Sequence, residues 1–161
     1  MSVTGCCRSA CAAWRDTSGS PLFCRWRVIE RTRKDAVPAL AALARVAPIL
    51  ARRGQRWGPG GSVGFELATG IPTATVSSDL DVILRQDHRL EWNKAFDLRA
   101  ALAESAAPAR IDVMLETPRG GVSLADLAAM PADVLVRTPD GVRLAADPWM
   151  MDVDALLEGV S

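Results

Sequence analysis

No apolar run in the 161 residues approaches the roughly 18 that a helix needs to cross a bilayer. The N-terminus also lacks the uninterrupted apolar stretch of a signal peptide, so the expected compartment is the cytoplasm. Net charge is missing as well, because 19 Lys and Arg balance 19 Asp and Glu. That balance argues against a protein that coats nucleic acid, although it leaves room for one basic pocket. Histidine is almost absent, with His88 alone, and the four cysteines (Cys6, Cys7, Cys11, Cys24) show no Cys-x-x-Cys spacing. Zinc therefore lacks its usual ligand set. A disulfide scaffold spreads its cysteines along the fold. Here they crowd the first 24 residues, so the expectation is reduced thiols in a poorly ordered leader, residues 1–20.

What is present suffices for one domain. At 49% hydrophobic residues, a chain of this size buries roughly two-thirds of its unfolded surface. After the linker-like "DTSGSP", the stretch "PLFCRWRVIE" alternates as a strand does. A helix is expected from Asp35, with Asp35 as N-cap, Leu40, Leu43, Val46, Ala47 and Leu50 on one side, Pro48 as an interruption and Gly54 as the stop. "WGPGGS" reads as a tight loop, "VGFELATG" as a short helix, and "DLDVILR" as a strand with Leu80, Val82 and Leu84 facing one way. A helix from about Leu90 to Ala106 carries Leu90, Phe96, Leu98 and Leu102. "ARIDVMLET" is a second strand with Ile111, Val113 and Leu115 inward. A "PRGG" turn, a short helix "SLADLAAM" and a hairpin closed by Pro139-Asp140-Gly141 complete the order. The fold class is α+β, a small mixed β-sheet flanked by helices. Residues 21–55 form an N-terminal strand and helix region, and residues 56–161 the main domain.

The chemistry gathers at "GGSVGFELATGIPTATVSSDLDVILR". Asp79 and Asp81 stand at i and i+2 on a strand, so they project from one face about 7 Å apart. Two ionised carboxylates drawn to about 4 Å repel by about 4 kcal/mol at an effective dielectric of 20. A divalent cation relieves that repulsion, and magnesium accepts such hard oxygen ligands. Asp112, two strands on by this reading and also opposite the apolar side chains, is the natural third ligand for a pair of bridged metals. Upstream, Gly61 allows close approach of the backbone, Ser62 offers a hydroxyl, and the helix that follows offers free amides at its positive end. Alone, Gly-Ser is commonplace, and the plainer reading of Ser77-Ser78-Asp79 is a cap or turn at a solvated strand end. Together these parts hold a polyphosphate against a metal.

Gly61-Ser62, then Asp79-x-Asp81, then Asp112 resembles the signature of the polymerase-β-type nucleotidyltransferase superfamily. The runs "WGPGGSVGFELATGIP", "SSDLDVILR", "RIDVMLETPRGGVSLADL" and "GVRLAADPW", from Arg56 to Trp149, more closely resemble the malonate decarboxylase holo-acyl-carrier-protein synthases, or phosphoribosyl-dephospho-CoA transferases. The resemblance implies a polymerase-β-type fold whose catalytic domain is residues 56–161, behind an N-terminal region shorter than family members carry. It implies that Asp79 and Asp81 bind Mg2+ (or Mn2+) and are essential, that Gly61 and Ser62 contact phosphates, and that Asp112 is a further ligand by the superfamily pattern. The activity implied is transfer of the 5-phosphoribosyl-dephospho-CoA group from 2'-(5-triphosphoribosyl)-3'-dephospho-CoA to a serine of the malonate decarboxylase acyl-carrier protein, with pyrophosphate released. No nucleic acid or membrane partner is implied. The partner supplies the nucleophile, so the lack of a Ser-His or Cys-His pair is expected. Two rival readings keep the same centre: another nucleotidyltransferase that adenylylates a protein or small molecule, and a truncated relative that binds nucleotide or carrier without turnover.

Arg85, Lys94 and Arg119 are candidates to neutralise a triphosphate, against the plainer reading of solvated cations. Glu66 is expected to bond the glycine loop or pair with an arginine. His88 is expected at the surface, and Trp57, Phe65 and Trp149 in the core, with Trp57 also placed to stack on adenine. Met150 and Met151 are expected to pack.

Overall fold

The structure, a computed structural model, describes Arg33 and residues 35–54 and 56–150. The expected strand at residues 21–30, the cysteine-bearing leader and Met151 lie outside the described residues. The elements run α1 (Pro38–Arg52), β1 (Trp57–Pro59), α2 (Gly61–Thr69), β2 (Leu80–Arg85), α3 (Trp92–Ala106), β3 (Ile111–Thr117), β4 (Gly120–Ser123), α4 (Leu124–Ala128), β5 (Val134–Thr138) and β6 (Gly141–Ala145). The strands form one six-stranded sheet in sequence order. β2 and β3 pair in parallel across the α3 crossover, and every other neighbouring pair is antiparallel. The architecture is α+β with a mixed sheet, as expected.

Strand alternation divides the sheet into two unlike faces. Leu80, Val82, Leu84, Val113 and Leu115 are buried, sharing one core with leucines and valines of all four helices. Burial of each such side chain contributes about 1.5–3 kcal/mol. α1 supplies Leu40, Leu43, Val46 and Leu50 to this core, so it packs with the elements after residue 56. Val122, Val134, Val136 and Ala145 make a smaller cluster under β4 to β6, and Leu127 touches both clusters. The opposite face is open, and Asp81, Ile83, Asp112, Met114, Leu135 and Arg137 point from it. None of the described helices is long and apolar enough to cross a membrane.

Several boundaries differ from expectation. Asp35 does not cap α1. It lies in a turn closed by the Ala36 and Val37 amides on the Arg33 carbonyl, and the N-cap is Val37. Pro38 follows at the helix start, where its fixed φ and missing N–H cost nothing. The helix continues through Pro48, and Gly54, at φ +68°, lies just past its end. α3 starts at Trp92, later than expected; Leu90 is buried just ahead of it. Its buried stripe is Ala95, Leu98, Leu102 and Ala106, while Phe96 is 49% exposed. Gly120 and Gly121, expected in a turn, open β4, and "WGP", expected as loop, is β1. Phe65 and Met150 are also exposed, contrary to expectation. Trp57 is core, and Trp149 packs against the same core cluster with its indole N–H on the Gln86 carbonyl.

Candidate active site

Asp79 immediately precedes β2, and Asp81 is the second residue of that strand. Their parity with Ile83 puts them on the open face, as expected. Asp112 is closer than two strands away. β3 is the immediate parallel neighbour of β2, and Asp112 is the Cα partner of Asp81. Three carboxylates thus share the N-terminal ends of two adjacent strands. Burial raises the Asp81 pKa, and the charges of Asp112 and then Asp79 raise it further. Burial is the main cause, and like-charge repulsion from the two neighbouring carboxylates adds to it.

The Gly-Ser turn lies against the same carboxylate. The Gly60 amide donates to the Asp81 carbonyl at 2.9 Å, which fixes the turn to the start of β2. Gly61, the first residue of α2, has φ +52°, and a Cβ there would overlap Asp81 Oδ2 and lie 2.9 Å from its Cγ. Only glycine satisfies both the backbone angle and the approach. Ser62 Oγ donates to Ser78 Oγ at 3.2 Å, and Ser78 Oγ also accepts the Thr75 amide at 2.9 Å. The start of α2 is thereby tied to the segment that leads into Asp79.

That segment hangs on Glu66, almost wholly buried at 1% exposure. Its carboxylate accepts the Thr73 and Ala74 amides at 2.9 Å each and pairs with the Arg33 guanidinium, which also donates to the Ala74 carbonyl. Glu66 therefore pairs with an arginine, one of the two roles expected of it. Burial pushes its pKa up, but the Thr73 amide, Arg33 and the Ala74 amide more than offset this, and the net direction is down.

The cations expected at the triphosphate are elsewhere. Arg85 ends β2, about 13 Å along the strand from Asp81, with Nε on Asp87 Oδ1 at 2.9 Å. Arg119 lies beyond the far end of β3, and Lys94 is in the first turn of α3, away from the acids. His88 is at the surface, as expected. Among the described residues, the arginine that reaches the acids is Arg110, which the sequence reading does not single out. Its Nη1 lies 3.8 Å from Asp79 Oδ2 and its Nη2 3.3 Å from Asp112 Oδ2. One signal was available: Arg110 stands two residues before Asp112, and therefore on its face of the strand.

Hard carboxylate oxygens on Asp79, Asp81 and Asp112 suit a divalent cation, which would also offset the repulsion that Asp112 and Asp79 exert on Asp81. Among the described residues, however, no three His, Cys, Asp or Glu side chains already converge as a metal cage. Arg110 stands between Asp79 and Asp112 instead. The donor set fits the ion in its chemistry, and the side chains would have to close around it.

The fold and site thus define an α+β domain whose mixed sheet presents an acid cluster under a glycine turn on its open face. The chain belongs to the family described as phosphoribosyl-dephospho-CoA transferase MdcG C-terminal domain, whose family model matches residues 27–148. It is 48% identical over 112 residues to a phosphoribosyl-dephospho-CoA transferase of Pseudomonas putida, covering 70% of this chain and 54% of that protein. An Azotobacter vinelandii protein of the same name is 40% identical over 121 residues, 73% of this chain and 56% of its own length. The Pseudomonas aeruginosa counterpart is 37% identical over 113 residues, 70% and 53%. The chain spans about half the length of these curated relatives. No solved structure matches it.

Proposed function

We propose that this chain is the catalytic part of a polymerase-β-type nucleotidyltransferase that moves the 5-phosphoribosyl-dephospho-CoA group onto a serine of the malonate decarboxylase acyl-carrier protein. The observation that carries the reading is Gly61 seated against Asp81 in a chain of this family, with Asp112 beside it on the next strand. The donor is 2'-(5-triphosphoribosyl)-3'-dephospho-CoA. The partner's serine oxygen attacks the phosphorus nearest the ribose, the bond from that phosphorus to the bridging oxygen breaks, and pyrophosphate leaves with the electron pair. The serine proton passes to a carboxylate at the site, for which Asp112 is the best-placed exposed acid. The amides at the start of α2 and the Ser62 hydroxyl hold phosphate oxygens. Asp79, Asp81 and Asp112 would hold Mg2+ (or Mn2+), which would neutralise charge on the triphosphate and on the leaving group.

The test is pyrophosphate release with the acyl-carrier protein present, comparing the triphosphoribosyl donor with ATP, with and without magnesium. Release that needs the dephospho-CoA donor, magnesium and the carrier serine is the expected result. Release from ATP alone points to a different nucleotidyltransferase, and no release from either to a relative without turnover.

A further inference from the structure

Beside Asp112 a cleft of about 490 Å³ opens between the C-terminal half of α3, the start of β3 and α4. Ala103, Ala109, Ile111 and Ala125 give it an accessible apolar lining, and Arg99 and Arg110 line it as well. The volume is that of an ordinary small-molecule site. Arg99 takes part in no ion pair among the described residues. Arg110 reaches Asp79 and Asp112 only through long, exposed contacts. Such contacts are weak, so its charge is readily redirected. A guanidinium is the side chain that grips phosphate through paired N–H groups and also stacks on flat rings. Two of them over a hydrocarbon floor select an anion joined to a flat, largely apolar body.

We infer that this cleft is a binding site for a phosphorylated nucleoside. Its base and sugar lie against Ala109 and Ile111, and its phosphate meets Arg99 and Arg110. This rests on the transferase reading above, in which the nucleoside is that of the dephospho-CoA half of the donor. Asp112 lies at the junction, with the open sheet face on one side and the cleft on the other. A donor held this way places its nucleoside next to the acid cluster without occupying the Gly61 turn.

The test is calorimetric titration of the full chain, without divalent metal, using 3'-dephospho-CoA and ADP as separate probes. Wild type is compared with Arg99→Gln, with Ala103→Trp to fill the cleft, and with Arg143→Gln on β6 as a control outside it. Both probes should bind wild type and the control alike. Loss of a charge-assisted contact in Arg99→Gln should weaken both at least about tenfold, and Ala103→Trp should abolish binding. Arg99 is on the exposed side of α3, so Arg99→Gln remains decisive if the bulkier variant fails to fold. Binding that survives Arg99→Gln at full strength overturns the inference, as does failure of both probes on wild type. If ADP binds with this dependence and dephospho-CoA does not, the cleft stands and the dephospho-CoA transferase reading falls.

Discussion

Asp81→Asn should stabilise the metal-free protein at neutral pH, although it removes a charge from the centre of the site. Asp81 and Asp112 are Cα partners on adjacent strands, which lie about 4.8 Å apart. Like charges at that spacing repel by about 1 kcal/mol in water and about 3.5 kcal/mol at an effective dielectric of 20. Arg110 offsets part of this through Asp79 and Asp112. A net gain of about 1 kcal/mol is therefore expected, or roughly 2–4 °C in Tm for a chain of this size. The pH dependence carries the sign. The folded pKa of Asp81 is raised above its ordinary 3.8, so the folded state holds that proton more tightly than the unfolded state. The residue's contribution is then complete below 3.8 and is lost as pH rises through the folded value. The gain from Asp81→Asn should accordingly shrink as the pH is lowered toward that range. Urea or thermal melts of both proteins from pH 8 downward, with and without magnesium, read this directly. Magnesium should raise the wild-type Tm and not that of Asp81→Asn, since only a folded site binds the ion. Transfer should be abolished. If the variant melts lower than wild type without metal at pH 7, the charge argument fails. If both proteins respond alike to magnesium and transfer equally well, the metal-dependent reading fails.

Gly61→Ala should cost about 2 kcal/mol or more in urea melts, from its left-handed φ and the overlap with Asp81; a change under about 0.5 kcal/mol would show that the turn relaxes freely. Glu66→Gln should destabilise by about 1.5–3 kcal/mol by weakening charge-assisted bonds to a buried side chain. Because the folded Glu66 pKa is lowered from 4.5, its stabilisation is present above that value and fades as pH falls through the folded one, so the variant should show a flatter acid limb. Arg45 donates to the Ser105, Ala106 and Ala107 carbonyls at 2.7, 2.9 and 2.8 Å. Arg45→Ala should cost about 1–2 kcal/mol and speed amide exchange at the end of α3; unchanged exchange there would refute that role.

Much of the site was legible because a strand's side-chain period is two. The leucines of "DLDVILR" and the Ile, Val and Leu of "RIDVMLET" claim the core, so Asp79, Asp81 and Asp112 must face away from it. Arg110 escaped notice because its place opposite Asp79 depends on the register between β2 and β3, which neither strand states alone. Phe96 is one of the apolar residues of the expected helix, yet the spacing 95, 98, 102, 106 suits the core better and leaves the ring outside. Glycines at 120 and 121 signal a turn in any window; pairing with Glu116 and Thr117 draws them into a strand. Asp35 is a good cap by type, but Pro38 supplies a helix start three residues later.

The parallel register of β2 on β3 has a further consequence, for fidelity of folding. A slip of one residue would turn β3 over, sending Val113 and Leu115 to solvent and Asp112 into the leucine core. An unpaired carboxylate there would cost several kcal/mol beyond the lost apolar burial. The acids of the site therefore also act as sentries against mispairing. Neutralising Asp112 would remove one penalty that separates the native strand alignment from its nearest competitor.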